Sequence, residues 1–127
     1  MANGCIDAAL SLLSAYRDAN RDMMTADQLR EISFHAGQAL AFGGRDAESI
    51  PYFERARSAD ATEEWSAYVE ATLAFLHRVG AILAAQRVRY AAAPGAAAMR
   101  LSIIDGFIAC SDSPYSEAVH CAMNIGR

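Results

Sequence analysis

Residues 29–59 read LREISFHAGQALAFGGRDAESIPYFERARSA, and this stretch decides the fold. Leu29, Ile32, Ala36 and Leu40 recur at three- and four-residue steps, so a helix places them on one face. Thr25 upstream is a good N-cap. Gln28, three residues later, returns a bond to its backbone, and this capping box predicts a helix beginning near Ala26. Gly43 and Gly44 end the run, because glycine enters the left-handed conformation that closes a helix without steric penalty. A second amphipathic run follows almost at once, with Ile50, Phe53 and Ala56 apolar or small and Arg45, Glu48, Glu54 and Arg57 toward water. A loop this short forces two such helices to pack antiparallel. Pro51 lacks an N–H and clashes with the carbonyl four residues back, so it predicts a start near Ala47 or Glu48, or else a kink.

Working outward, the same grammar repeats. A first helix is expected over about Ile6 to Ala19, with Ile6, Ala9, Leu10, Leu13 and Tyr16 on one side. Asp60 and Thr62 signal a new start, Glu63 and Glu64 suit the positive end of the helix dipole, and Trp65, Tyr68, Val69, Thr72, Leu73 and Leu76 form a broad apolar stripe, the central helix. His77, Arg78 and Gly80 make the next corner, with Gly80 relaxing the backbone. Ile82, Leu83 and Tyr90 then point inward, with Gln86 interrupting their stripe. Pro94-Gly95 breaks the chain again. Ala96 to Cys110 carries Met99, Ile103, Ile104, Phe107 and Ile108, and the cost of Gly106 inside that helix, about 1 kcal/mol relative to alanine, points to a close helix crossing. Pro114, capped by Ser113, opens a last helix with Tyr115, Ala118, Val119, Ala122 and Met123 inward and Gly126 at its end. The sum is an all-α chain of about seven helices in antiparallel hairpins, with no competing strand pattern.

Gly37, Leu40, Gly44, Ser49, Phe53 and Ala56 fall on the spacing of a tetratricopeptide repeat, a helix-turn-helix unit of about 34 residues, which this stretch resembles. Small residues at Gly37 and Ala56 let two helices approach, and Phe53 fills the gap between them. Ser33 stands where the family prefers tryptophan, Ala36 where it prefers leucine, Ser49 where it prefers alanine, and Ala61 where proline often ends the unit. A looser second copy begins near Thr62, with Trp65 at the tryptophan position and Ala81 as a small residue. The resemblance implies a right-handed stack of hairpins that binds protein or peptide partners. It places Glu31, Phe34, Gln38 and Phe42 in the binding groove, where an apolar or basic ligand suits them better than an acidic C-terminus. The competing reading packs Phe34 and Phe42 against the first helix.

The 127 residues fit one domain. Hydrophobic residues make up 54% and charged residues 20%, so an apolar face is left over for a partner, and a homodimer is expected, with the helix around Phe107 as its surface. Net charge is -4 and no residue is lysine, which removes the electrostatic footprint of nucleic-acid binding. No run approaches the roughly 18 apolar residues of a membrane span, and the apolar run between Asp7 and Arg17 reads as a helix of the domain rather than a signal peptide. Cys5, Cys110 and Cys121 lack CxxC spacing, so free buried thiols in a reducing cytoplasm are expected.

Chemical motifs are sparse. Glu117 and His120 form an E-x-x-H pair on one helical face, and Glu31 and His35 lie four apart on another helix. In di-iron bundles such pairs recur and two further glutamates complete the site. Here the second E-x-x-H and the inward glutamates are missing, so no metal or cofactor is expected. A metal- or small-molecule-binding bundle built on Glu31, His35, Glu117 and His120 is the alternative to a non-enzymatic interaction scaffold. Cys110 and Cys121 have no nucleophile context, and Gly43-Gly44 lacks the downstream Gly-Lys-Ser or Thr of a phosphate loop.

Overall fold

The computed structural model describes residues 2–125, with side chains described over 4–123. Seven α-helices and one 3-10 turn account for the ordered elements, and no strand occurs among the described residues. By internal contacts the chain divides into two compact units, Met1–Ser58 and Ala59–Arg127.

The first unit holds α1 (Ala2–Asn20), a 3-10 turn (Arg21–Met23), α2 (Ala26–Phe42) and α3 (Asp46–Arg55). The expected capping box opens α2: the Gln28 amide donates to Thr25 Oγ1 at 3.1 Å and the Thr25 amide to Gln28 Oε1 at 2.9 Å. Its end is a Schellman closure. Gly44 takes φ +81, the Arg45 amide donates to the Leu40 carbonyl at 2.9 Å and the Gly44 amide to the Ala41 carbonyl at 3.1 Å. The left-handed residue is therefore Gly44, while Gly43 keeps a φ of -83 and receives the Ile6 side chain of α1.

Between α2 and α3 the chain closes as the small residues require. A Cβ on Gly37 would stand 3.0 Å from the Phe53 ring, and Phe53 and Ala56 are fully buried. Burying a phenylalanine contributes about 1.5–3 kcal/mol, available here because Gly37 leaves room for the ring. The buried stripe of α2 is wider than the expected one: Ala36 and Leu40 are core, Leu29 and Ile32 are half-buried, and Arg30, Phe34, Gly37 and Ala41 are buried beside them. A two-sided helix, in contact with α1 and α3, needs two stripes. Helix α3 starts at Asp46, one residue before the expected range, and Pro51 lies in its interior, beyond the first turn. The amide that Pro51 lacks would have bonded the carbonyl of Ala47, an exposed residue open to water, while the buried Ser49 hydroxyl donates to the Asp46 carbonyl at 2.6 Å.

The second unit holds α4 (Glu63–Leu76), α5 (Gly80–Ala92), α6 (Ala98–Ala109) and α7 (Tyr115–Ile125). Thr62 caps α4, accepting from the Trp65 amide at 3.2 Å. Tyr68, Val69, Thr72 and Leu73 are buried as expected, and Ala67, Ala71, Ala74 and Phe75 join them, since α4 contacts both α5 and α6. The Thr72 hydroxyl is satisfied by the Tyr68 carbonyl at 2.9 Å. Helix α4 closes as α2 does: the Val79 amide donates to the Ala74 carbonyl at 2.9 Å and the Arg78 amide to the Phe75 carbonyl at 3.0 Å. The sequence pointed to Gly80 at this corner. Instead Arg78 takes the left-handed position at φ 60, and Gly80 is the first residue of α5. Phe42 and Leu76, Gly44 and Arg78, and Asp46 and Gly80 are pairs 34 residues apart, so helix end, left-handed corner and helix start repeat in register.

Leu83 and Tyr90 are buried on α5, but Ile82 is 49% exposed and turns outward. Helices α6 and α7 meet at the predicted crossing. A Cβ on Gly106 would stand 2.1 Å from the Ala118 carbonyl oxygen, so the two backbones touch there. Phe107 stacks on Phe75 with ring centroids 4.6 Å apart and lies 5.8 Å from Tyr115. Ile104 and Phe107 are fully buried, whereas Met99 and Ile108 are exposed. Phe107 itself is thus core of the unit, while Met99 and Ile108 of the helix expected as a dimer surface remain on the outside. Helix α7 begins at Tyr115, just after Pro114, whose carbonyl accepts from the Ala118 amide at 3.0 Å. Gly126, expected to end it, lies outside the described residues.

Candidate functional site

The α4–α5 corner of the second unit borders a cavity of about 90 Å³, lined by Ala74, Phe75, Arg78, Val79, Gly80, Leu83, Ser111 and Asp112. Its floor is apolar because α4 and α5 turn their buried stripes toward each other beneath the corner. Its rim is polar because the α6–α7 loop crosses it. The Arg78 guanidinium lies 4.6 Å from the centre of the Phe75 ring and donates to the carbonyls of Ser111 and of Ser113, the latter at 2.9 Å. One arginine on a left-handed backbone thereby joins the α4–α5 corner to the α6–α7 loop. Drug-sized ligands occupy about 300–1,000 Å³, so the cavity suits only a few atoms or one inserted side chain.

Beside that loop the cysteine expectation is overturned: Cys110 and Cys121 form a disulfide with Cα atoms 6.3 Å apart, and Cys5 is free but exposed rather than buried. The physical reason is the α6–α7 crossing. Gly106 brings the helices together, so the residue ending α6 comes within bridging distance of α7. Sequence spacing alone could not reveal that approach.

A second cluster binds α4, α5 and α6 together. Arg89 reaches Glu63 through two bonds of 2.7 Å, Arg87 meets Asp105 at 2.9 Å, and Arg100 meets Glu64 at 2.7 Å while lying 5.5 Å from the Trp65 ring centre and 5.0 Å from that of Tyr68. Hydrogen bonding to Arg89 holds the Glu63 carboxyl below its ordinary value. Burial pushes the Tyr68 phenol up and does the same to Tyr90, whose hydroxyl accepts from the Ala97 amide at 3.0 Å. The first unit has a smaller counterpart in Arg45, which meets Asp7 of α1 at 2.8 Å and Glu48 of α3. Its guanidinium is driven further toward the charged form by the hydrogen bond to Glu48 and then by that to Asp7.

The groove residues read from the sequence separate. Phe34 is only 3% exposed and meets Phe53 edge-on with ring centroids 4.9 Å apart, so it belongs to the α2–α3 core. The alternative expectation put it and Phe42 against α1, which also contacts α2; a ring partner of Phe34 is Phe53 on α3. Phe42 is 50% exposed, Glu31 is exposed, and Gln38 is half-buried with its Oε1 3.2 Å from His35 Nδ1. Glu31 and His35 belong to α2, Glu117 and His120 to α7, and all four are exposed. Among the described residues no group of three or more His, Cys, Asp or Glu converges as a metal site would require. No helix among them is long and apolar enough to cross a membrane.

The cavity and the arginine ties were missed in the sequence. The acidic partners or acceptor carbonyls of Arg78, Arg87, Arg89 and Arg100 lie 18 to 36 positions away, beyond the reach of local spacing. The shared 34-residue offset at Gly44 and Arg78 was the available signal, hidden because the second corner has no glycine at the left-handed position. No protein-family model matches the chain, and no curated protein or solved structure matches it either.

Proposed function

We propose that this chain is a helical-hairpin scaffold of the tetratricopeptide-like kind, which holds a protein or peptide partner and performs no chemistry of its own. The observation that carries the reading is the in-register repeat: two hairpins with the same closure at Gly44 and Arg78, 34 residues apart. A repeating hairpin leaves apolar side chains on its outer faces, and Phe42, Ile82 and Val88 are such residues, 50%, 49% and 69% exposed. Large exposed apolar side chains beside ion-paired ones suit a partner surface. The groove assignment then rests on Glu31, Gln38 and Phe42, with Phe34 behind them as support. Self-association is part of the same proposal, now without Phe107. A cytoplasmic location fits the proposal on condition that the Cys110–Cys121 bond opens and closes there.

The test is affinity capture with the intact chain, repeated with Phe42→Ala and with Val88→Asp, each first shown to keep wild-type helicity by circular dichroism. Loss of one reproducible partner in either variant supports the reading. A partner set indifferent to both changes, together with a strict monomer by light scattering at micromolar concentration, refutes it.

A further inference from the structure

We propose that Cys110 and Cys121 are a reversible redox latch on the wall of the α4–α5 cavity, opened by exchange with a dithiol reductant. The argument begins with placement. Cys110 is the residue that ends α6 and Cys121 lies within α7. Between them runs the loop whose Ser111 and Asp112 wall the cavity. A bond between the cysteines therefore fixes the position of that wall. Both cysteines are half-buried, at the margin of the hairpin rather than in its core, where an incoming thiolate can reach a sulfur.

The hairpin has other grounds for staying folded. Gly106 seats α6 against the Ala118 backbone, and Ile104, Phe107 and Tyr115 are fully buried, contacts that do not pass through the sulfurs. Opening the bond leaves this core in place. The loop then stays tied to the α4–α5 corner by the hydrogen bonds from Arg78 to the Ser111 and Ser113 carbonyls, and those come from a side chain that is itself exposed. The oxidised form thus holds the cavity wall covalently, and the reduced form holds it by the exposed Arg78 and by the bond the Ser113 amide donates to the Cys110 carbonyl at 3.0 Å.

The chemistry balances without a metal or further cofactor. A thiolate of the reductant attacks one sulfur of the pair and forms a mixed disulfide while the other cysteine leaves as thiolate and takes up a proton. The second thiol of the reductant then displaces the first cysteine. Two electrons pass to the protein disulfide, the dithiol becomes a disulfide, and two cysteine thiols result. Exchange with an oxidised disulfide compound runs the same steps in reverse.

The experiment uses the full chain under native conditions, with dithiothreitol as reductant and oxidised glutathione as oxidant. Alkylation with iodoacetamide and mass analysis should find Cys5 alone modified in the oxidised form, and Cys5, Cys110 and Cys121 after dithiothreitol, with helical circular dichroism retained. Amide hydrogen exchange over residues 111–123 should rise on reduction, up to about a hundredfold, the factor set by releasing so short a closed loop, while α2 and α3 are unchanged. A Cys110→Ser, Cys121→Ser double variant should show the faster exchange under both conditions, and Arg78→Ala should raise it further at residues 111–113 in reduced chain only. Three results would each overturn the proposal: reduction that requires denaturant, reduction that melts α4 to α7 together, or loop exchange that differs less than about threefold between the two forms. Failure of oxidised glutathione to restore the bond would do so as well.

Discussion

Replacing Gly106 by alanine sets two principles against each other. Alanine is the better helix former by about 1 kcal/mol, so a reading of α6 as an isolated helix makes the change stabilising. The structure reverses the sign. The new methyl would lie 2.1 Å from the Ala118 carbonyl oxygen and 3.4 Å from the Ala122 amide nitrogen. Those are backbone atoms of α7, which cannot rotate away as a side-chain tip can. Separating the helices by about 1 Å would disturb the fully buried Ile104, Phe107 and Tyr115 and the stack of Phe107 on Phe75. Overpacking of this kind costs about 1–3 kcal/mol. An obstacle made of backbone belongs at or above the top of that range, so the net effect is a loss of about 2 kcal/mol after the propensity gain. For a unit of this size that lowers the thermal midpoint by roughly 8–16 °C. Trp65 is the chain's single tryptophan and lies in the same unit as Gly106, so its fluorescence in urea reports the relevant transition, with the midpoint lowered and the slope unchanged. Gly80→Ala is the control, because a Cβ there meets nothing within 4 Å, and it should change stability by no more than about 0.5 kcal/mol. A neutral or stabilised Gly106→Ala chain would refute the close crossing and, with it, the reason the two cysteines meet.

Three further outcomes follow from the same geometry. Gly44→Ala places a Cβ on a residue at φ +81 and should cost about 1–2 kcal/mol, seen as a lower helix melting temperature by circular dichroism; an unchanged melt would mean the corner is not left-handed. Reducing Cys110–Cys121 releases the short loop between positions 110 and 121 and should lower the urea stability of the Trp65 transition by about 3 kcal/mol, whereas an unchanged midpoint would show the bond has no constraining role. Because burial raises the folded pKa of the Tyr68 phenol above its unfolded value of about 10, its contribution to stability is intact below about pH 10 and is lost as pH rises from there toward the folded value. Tyr68→Phe should therefore unfold less readily than wild type in that alkaline range, while identical alkaline profiles would contradict the burial.

How the sequence could carry so much of this is visible at particular residues. Thr25 with Gln28 and Thr62 with Trp65 are caps made between residues three apart, so neighbours in sequence suffice to specify them. Gly37 with Phe53 is legible because only a missing side chain makes room for a ring at that spacing. The site was harder to read. Arg78 stands where the corner pattern wants glycine, Ile82 turns outward from an apolar run, and Phe34, open in sequence to either a groove or a packed place, has its ring against Phe53. Periodicity gives a residue's angle around its own helix, and says nothing of which neighbouring helix covers that angle.

By itself the sequence determined the helices, the N-caps at Thr25 and Thr62 and the antiparallel hairpins, because those depend on interactions spanning a few residues and on apolar spacing of three and four. It also marked Gly106 as the place of a close crossing, since glycine within a helix has few other uses. Only the tertiary structure decided that the chain forms two compact units, that Phe107 is core rather than partner surface, and that Cys110 meets Cys121. It also decided that Arg78 secures the loop beside the cavity. These contacts join positions far apart in the chain, and their distances follow from how whole helices pack, which no local pattern of residues encodes.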